Sequence, residues 1–237
     1  MQAVKPSFQR IENGGILYDA SRVSKPSIDL FDAKAWRERA NASHVSGGRG
    51  SVLFISHGED RWVLRHYRRG GVAAKLSEDR YLWTGADRTR SFREWRLLAD
   101  MRQAGLPVPV PIAARYERRG LLYRADLITE EIVGAQPLSK IIANEALNGG
   151  WQRVGATIAR FHRQGIRHAD LNAHNILIAS DAVYLLDFDR GDRVARGPWE
   201  QRVLARLLRS LNKLKGQNPA LRFSAADWQA LLEGVEG

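Results

Sequence analysis

Cysteine is absent from all 237 residues. With it go disulfides, thiolate zinc sites and cysteine nucleophiles; a reducing compartment fits but is not required. No run approaches the roughly 18 uninterrupted apolar residues of a membrane span. The opening MQAVKPSFQRIENGG has no apolar centre of the kind a signal peptide needs, so no leader is expected. Repeats and low-complexity tracts are missing too, which excludes solenoids. Acidic residues are scarce in one stretch. Residues 61–124 hold 6 of them against 15 Lys and Arg, a net of +9 out of the chain's +11, while residues 1–60 and 125–237 carry +1 each. A field that concentrated implies an anionic partner: nucleic acid, an anionic lipid surface, or a substrate bearing phosphates and carboxylates. A basic face that serves only solubility is the plainer explanation, and charge alone does not choose.

What is present suits a globular chain, with 44% apolar and 27% charged residues. Residues 1–40 read as loosely organised, with one short helix near 33–39. From Ser46 the pattern sharpens. Glycines lead into a β-rich run at 52–55, and Gly58-Glu59-Asp60 turns it into a second strand at 61–67, an antiparallel pair. Ser91 opens a helix that stops at Gly105, before LPVPVP. Strands are expected at 113–118 and 121–129. Beyond Gly134 helices dominate: 138–144, a run from Trp151 to Gly165, one marked by Leu204, Leu207, Leu208, Leu211 and Leu214, and a last one capped by Ser224. Short strands at 175–179 and 183–188 interrupt them.

The segment GIRHADLNAHNILIASDAVYLLDFDRG, residues 165–191, carries the chemistry. Asp170 is followed five residues on by Asn175, a short apolar strand, and then Asp187 at the end of a second strand. A strand–turn–strand unit folding back on itself brings the three to one mouth. Phosphoryl transfer needs that set: a carboxylate to orient and deprotonate an attacking hydroxyl, and oxygen ligands for Mg²⁺ on the β- and γ-phosphates. His168 is read as a brace for the loop rather than a proton carrier.

With these spacings the sequence resembles the protein-kinase-like superfamily, whose H-x-D-x-x-x-x-N loop precedes a D-F-G-like metal turn. The resemblance implies an α+β, two-lobed fold: an N-terminal extension and antiparallel β-rich nucleotide-binding lobe over 1–130, and a mainly helical catalytic lobe over 131–237. It implies ATP and Mg²⁺, with Asp170 as catalytic base and Asn175 and Asp187 as metal ligands. Gly48 and Gly50 would form the phosphate loop. Arg65 stands where the superfamily has a phosphate-gripping lysine, and Lys75 is a second candidate. Glu94 matches the helix glutamate that pairs with that cation, and it shares a helical face with Leu97, Leu98 and Met101, so its carboxylate should point inward.

Several departures bear on the substrate. Ala169 replaces the arginine of H-R-D, Asp189 stands where the metal turn usually ends in Gly, and only about a dozen residues, with no A-P-E segment, separate Asp187 from the helix near Trp199. A protein acceptor needs a platform there. HADLNAHNILI and LLDFDRG, with WVLRHYRRGG, AKLSEDRYLWTG and RTRSFREWRLL, resemble the bacterial 3-deoxy-D-manno-octulosonic acid (Kdo) kinases from about residue 47 to 232. That resemblance implies phosphorylation of the 4-hydroxyl of Kdo on a lipid A precursor, by a peripheral enzyme at the cytoplasmic face of the inner membrane. No nucleic acid and no obligate protein partner would be involved. Another kinase of the superfamily, acting on heptose, an aminoglycoside or a protein, stays open. So does a catalytically silent basic module that binds RNA or membrane.

Overall fold

Alternation along 50–66 and 111–130 becomes the centre of one large antiparallel sheet. The structure, a computed structural model, describes residues 3–38, 42–47, 50–68, 79–147 and 149–237. It divides into two units, Met1–Gln103 with Pro109–Val133, and Ala104–Val108 with Gly134–Gly237.

In the first unit the strands are β1 (Pro6–Ile11), β2 (Gly14–Asp19), β3 (Ala42–Gly47), β4 (Gly50–His57), β5 (Asp60–His66), β6 (Tyr81–Leu82), β7 (Pro111–Arg119) and β8 (Leu122–Glu130). Their order is β1-β2-β7-β8-β5-β4-β3, with β6 also on β8. The register sets Leu53 opposite Leu64 and Ile55 opposite Trp62, so one face buries these four with Ile16 and Ile128. The helix α1 (Ala33–Glu38) and the chain before it cover that face with Val23, Phe31 and Trp36. Packed on β7 and β8 is α2 (Arg90–Gln103), which buries Phe92, Trp95, Leu98 and Met101.

The second unit holds β9 (Gln136–Pro137), α3 (Leu138–Asn144), α4 (Gly150–Arg163), β10 (Ile166–Arg167), β11 (Ile176–Ile178), β12 (Val183–Leu185), β13 (Asp192–Arg193), α5 (Trp199–Gln217) and α6 (Ala225–Glu236). Helices α4 and α6 touch through glycines. A Cβ at Gly155 would strike the Leu231 carbonyl, and one at Gly234 the Gln152 carbonyl. Ser224 caps α6 in a reciprocal box with Asp227. Residues 104–108 belong here by bonds as well, since Leu185 N–H donates to the Pro107 carbonyl (3.1 Å) and Arg160 to that of Gly105 (2.8 Å).

Three sequence expectations need correction. Residues 1–40 are not loose, because β1 and β2 form a hairpin that extends the sheet. Alternation is weak there: β1 is exposed on both faces, and Gly14 serves backbone approach, since a Cβ on it would overlap the Tyr116 carbonyl. The strand β3 has no counterpart in the expected elements. Ser91 does not cap α2; it is buried within the helix, and its hydroxyl donates to the Arg115 carbonyl (2.9 Å), fastening the helix to β7.

Candidate active site

In the second unit the chain leaves α4 at Gly165, whose φ of +68° suits glycine and whose missing Cβ makes room for the Val194 carbonyl. After β10 comes His168, 3% exposed. Its Nε2–H donates to the Leu186 carbonyl (2.7 Å), and its Nδ1 accepts the Asp170 N–H (3.3 Å). Only the neutral ring protonated at Nε2 satisfies both bonds. Burial pushes the His168 pKa down, which favours that form. The ring also lies 4.6 Å from that of Phe188, which in turn stacks on Phe161 at 5.6 Å. His168 therefore ties the loop holding Asp170 to the strand end that delivers Asp187.

The loop is closed by its own amides. Asn172 and Asn175 donate through Nδ2 to the Asp170 carbonyl at 2.8 and 3.2 Å, and Asn172 Oδ1 accepts from His174 N–H (2.9 Å). Leu186 N–H donates to the Asn175 carbonyl at 2.9 Å, which sets Asp187 beside Asn175. The structure thus brings Asp170, Asn175 and Asp187 together around one loop. Asp187 has φ +63°, the only left-handed non-glycine residue among those described. Strain of that kind persists where surrounding contacts fix it, here the buried Phe188 with its carbonyl bonded to Gly191 N–H (2.8 Å).

Sequence reasoning missed Arg206. From α5 its guanidinium pairs with the Asp170 carboxylate, the two side chains being 46% and 44% exposed. Helical spacing alone does not say which loop a surface arginine reaches.

In the first unit Arg65 on β5 forms an ion pair with Glu94 on α2, whose side chain is 2% exposed. Tyr67 is the residue that sequence reasoning passed over in this unit. Its hydroxyl donates to Glu94 Oε2 (2.6 Å) and accepts from Arg65 Nη2 (3.1 Å). The signal was available, because residues two apart on a strand share a face. That face also carries half-buried Val52, Phe54 and Val63, with Val52 directly opposite Arg65. Gly50 opens β4 and pairs with Gly47. Gly48 and Lys75 lie outside the described residues.

Among the described residues no cluster of three or more His, Asp or Glu could hold a metal by itself. Asn175 and Asp187 offer two oxygen donors. That is the small protein share typical of Mg²⁺ sites completed by phosphates and water, so the residues fit such an ion.

The model of the lipopolysaccharide kinase (Kdo/WaaP) family matches residues 33–234. The chain is 47% identical to a 3-deoxy-D-manno-octulosonic acid kinase of Stenotrophomonas maltophilia (strain R551-3), over 91% of this chain and 87% of that one. It is 44% identical to its namesake in Xylella fastidiosa (strain M12), with the same coverage. Among solved structures it resembles WaaP in complex with acyl carrier protein (TM-score 0.53, 14% identity, 90% of this chain and 86% of that one). It also resembles the amicoumacin kinase hAmiN in complex with AMP-PNP, Ca²⁺ and Ami (TM-score 0.57, 11% identity, 88% and 78%). At these identities the structural likeness concerns the fold, which is the kinase-like α+β fold expected from the sequence.

Proposed function

The chain belongs to the lipopolysaccharide kinase (Kdo/WaaP) family, and from that membership we propose that it transfers the γ-phosphoryl group of ATP to the 4-hydroxyl of a Kdo residue on a lipid A precursor. The observation that carries this reading is the braced loop that gathers Asp170, Asn175 and Asp187, in a chain nearly half identical to relatives named for this activity. Asp170 orients the acceptor hydroxyl and takes its proton as the bond to phosphorus forms. Asn175 and Asp187 would hold Mg²⁺, which when bound neutralises charge on the β- and γ-phosphates. Arg65, fixed by Glu94 and Tyr67, would grip the phosphates as a planar cation, while Val52, Phe54 and Val63 offer the base an apolar surface.

The acceptor is an anion, and with it we place the enzyme at the cytoplasmic face of the inner membrane. No helix among the described residues is long and apolar enough to cross a membrane. Attachment would instead use the tip where β6 meets β8. There Leu82 and Leu121 are 67% and 77% exposed, with exposed Arg80 just before β6 and exposed Arg118 over the Trp83 ring. Two apolar side chains flanked by two arginines suit an anionic leaflet.

The test is transfer of labelled phosphate from ATP with Mg²⁺. Kdo-bearing lipid, a heptosylated lipid, an aminoglycoside and a generic protein are offered separately. Label is expected on the Kdo-bearing lipid, and Asp170→Asn should lose about 10²–10⁴-fold in kcat. Transfer to another acceptor instead selects a different kinase activity, and transfer to none leaves the silent binding module.

A further inference from the structure

We propose that Arg206 recognises the carboxylate of the acceptor, and that it does so by releasing Asp170 in exchange. This rests on the activity proposed above, whose acceptor is a sugar acid.

The helix α5 has two clear faces. Trp199, Val203, Leu207 and Leu211 are buried. Arg202, Arg206, Arg209 and Lys213 are all exposed. At 100° per residue these four cations fall within about 60° of one another, a single stripe. The net charge of residues 125–237 hides this, because the balancing acids lie elsewhere; α5 itself contains only Glu200. Among the described residues Arg202, Arg209 and Lys213 form no ion pair. Arg206 alone is engaged, and its partner is Asp170.

That pairing places a guanidinium against the carboxylate that must receive the hydroxyl proton. Both members are nearly half exposed, and pairs of that kind add little net stability, so the contact is readily exchanged. The incoming sugar offers Arg206 the same ligand it already holds, a carboxylate, in the geometry a guanidinium fork prefers. Acceptor hydroxyl and carboxylate sit on one sugar. When Arg206 turns from Asp170 to the acceptor, the step that uncovers the base also delivers the hydroxyl to it. A neutral sugar cannot make this exchange. Arg209 and Lys213 continue the stripe for about 10 Å beyond Arg206, in reach of further anionic groups on the same lipid.

The experiment compares the Kdo-bearing lipid with the same lipid carrying the Kdo carboxylate as its neutral amide. Steady-state kinetics are run on the parent, Arg206→Ala and Arg206→Lys. The parent should show KM for the amide raised by at least about tenfold, the worth of one charge-assisted hydrogen bond. Arg206→Ala should show a similarly raised KM for the acid and no preference between acid and amide, with KM for ATP unchanged. Arg206→Lys should keep part of the preference. A parent indifferent to the amide, or an Arg206→Ala enzyme that still prefers the acid as the parent does, overturns the proposal while leaving the kinase activity standing. A parent that phosphorylates no Kdo-bearing lipid overturns both, and does so before any variant is made. Arg202→Gln, Arg209→Gln and Lys213→Gln combined should raise KM for the lipid yet keep the preference for acid; an unchanged KM removes these three from the acceptor site.

Discussion

Tyr67 donates its hydroxyl proton to Oε2 of Glu94 at 2.6 Å, the same oxygen that pairs with Arg65. A carboxylate buried to this depth is held by both donors, so the two substitutions that weaken it should differ in size. Tyr67→Phe removes one neutral donor and should cost the fold about 1 kcal/mol, with a rise of a few-fold in KM for ATP. Glu94→Gln leaves Arg65, its side chain only 22% exposed, without its counter-charge and should cost about 3 kcal/mol. Urea denaturation with ATP kinetics checks both. Equal losses would mean the pair carries no special weight.

Asp187 separates backbone strain from chemistry. At φ +63° asparagine is tolerated and alanine is not. Asp187→Asn should keep the stability of the parent but need far more Mg²⁺ for activity, since a neutral amide replaces an anionic oxygen. Asp187→Ala should lose about 1–2 kcal/mol as well as activity. If Asp187→Asn titrates with Mg²⁺ like the parent, Asp187 is not the ligand.

Two histidines should bend the pH dependence of stability in opposite directions. The bond from His66 to Asp126 (2.7 Å), with the charges of Asp126 and Asp79, holds the His66 pKa above its usual value against the effect of burial. Its contribution is full below the unfolded value near 6.5 and is lost as pH rises through the raised pKa. His162, buried at 5.0 Å from the Trp199 ring, is pushed down to about 4 by desolvation. Its neutral form stabilises above about 6.5, and that stability drains away as pH falls from there toward 4. Melting curves should show His66→Asn flattening the alkaline side relative to the parent and His162→Gln flattening the acid side. The reverse assignment would contradict a charged His66 and a neutral His162.

Much of this was legible in the sequence. The Asp170, Asn175 and Asp187 spacing identified the loop, and the helical face of Glu94 identified its inward carboxylate. What escaped depends on contacts between distant segments. The strand β1 is an edge whose residues face solvent on both sides, so it lacks the alternation of a covered strand, while β2, between β1 and β7, buries Ile16 and Leu17 next to each other and does not alternate either. Tyr67 looks like any aromatic at a strand end until α2 brings Glu94 to it. Arg206 lies 36 residues from Asp170, on a basic helix whose excess charge disappears only when residues 125–237 are summed as one stretch.

The membrane tip is open to direct test. Replacing Leu82 and Leu121 by serine removes apolar surface that the fold leaves exposed, so melting temperature should not move. Co-sedimentation with anionic vesicles should fall by at least about tenfold, given about 1 kcal/mol or more for each leucine withdrawn from the lipid. Retained binding would assign attachment to another surface.

The position of the phosphate on the product decides the central point. Phosphorus–proton correlation spectra of the Kdo-bearing lipid, after reaction with ATP and Mg²⁺, should couple the new phosphorus to the proton at carbon 4 of Kdo, with no such signal from the Asp170→Ala enzyme. Coupling to any other carbon, or the same signal from Asp170→Ala, would contradict the proposed reaction and the role of its base.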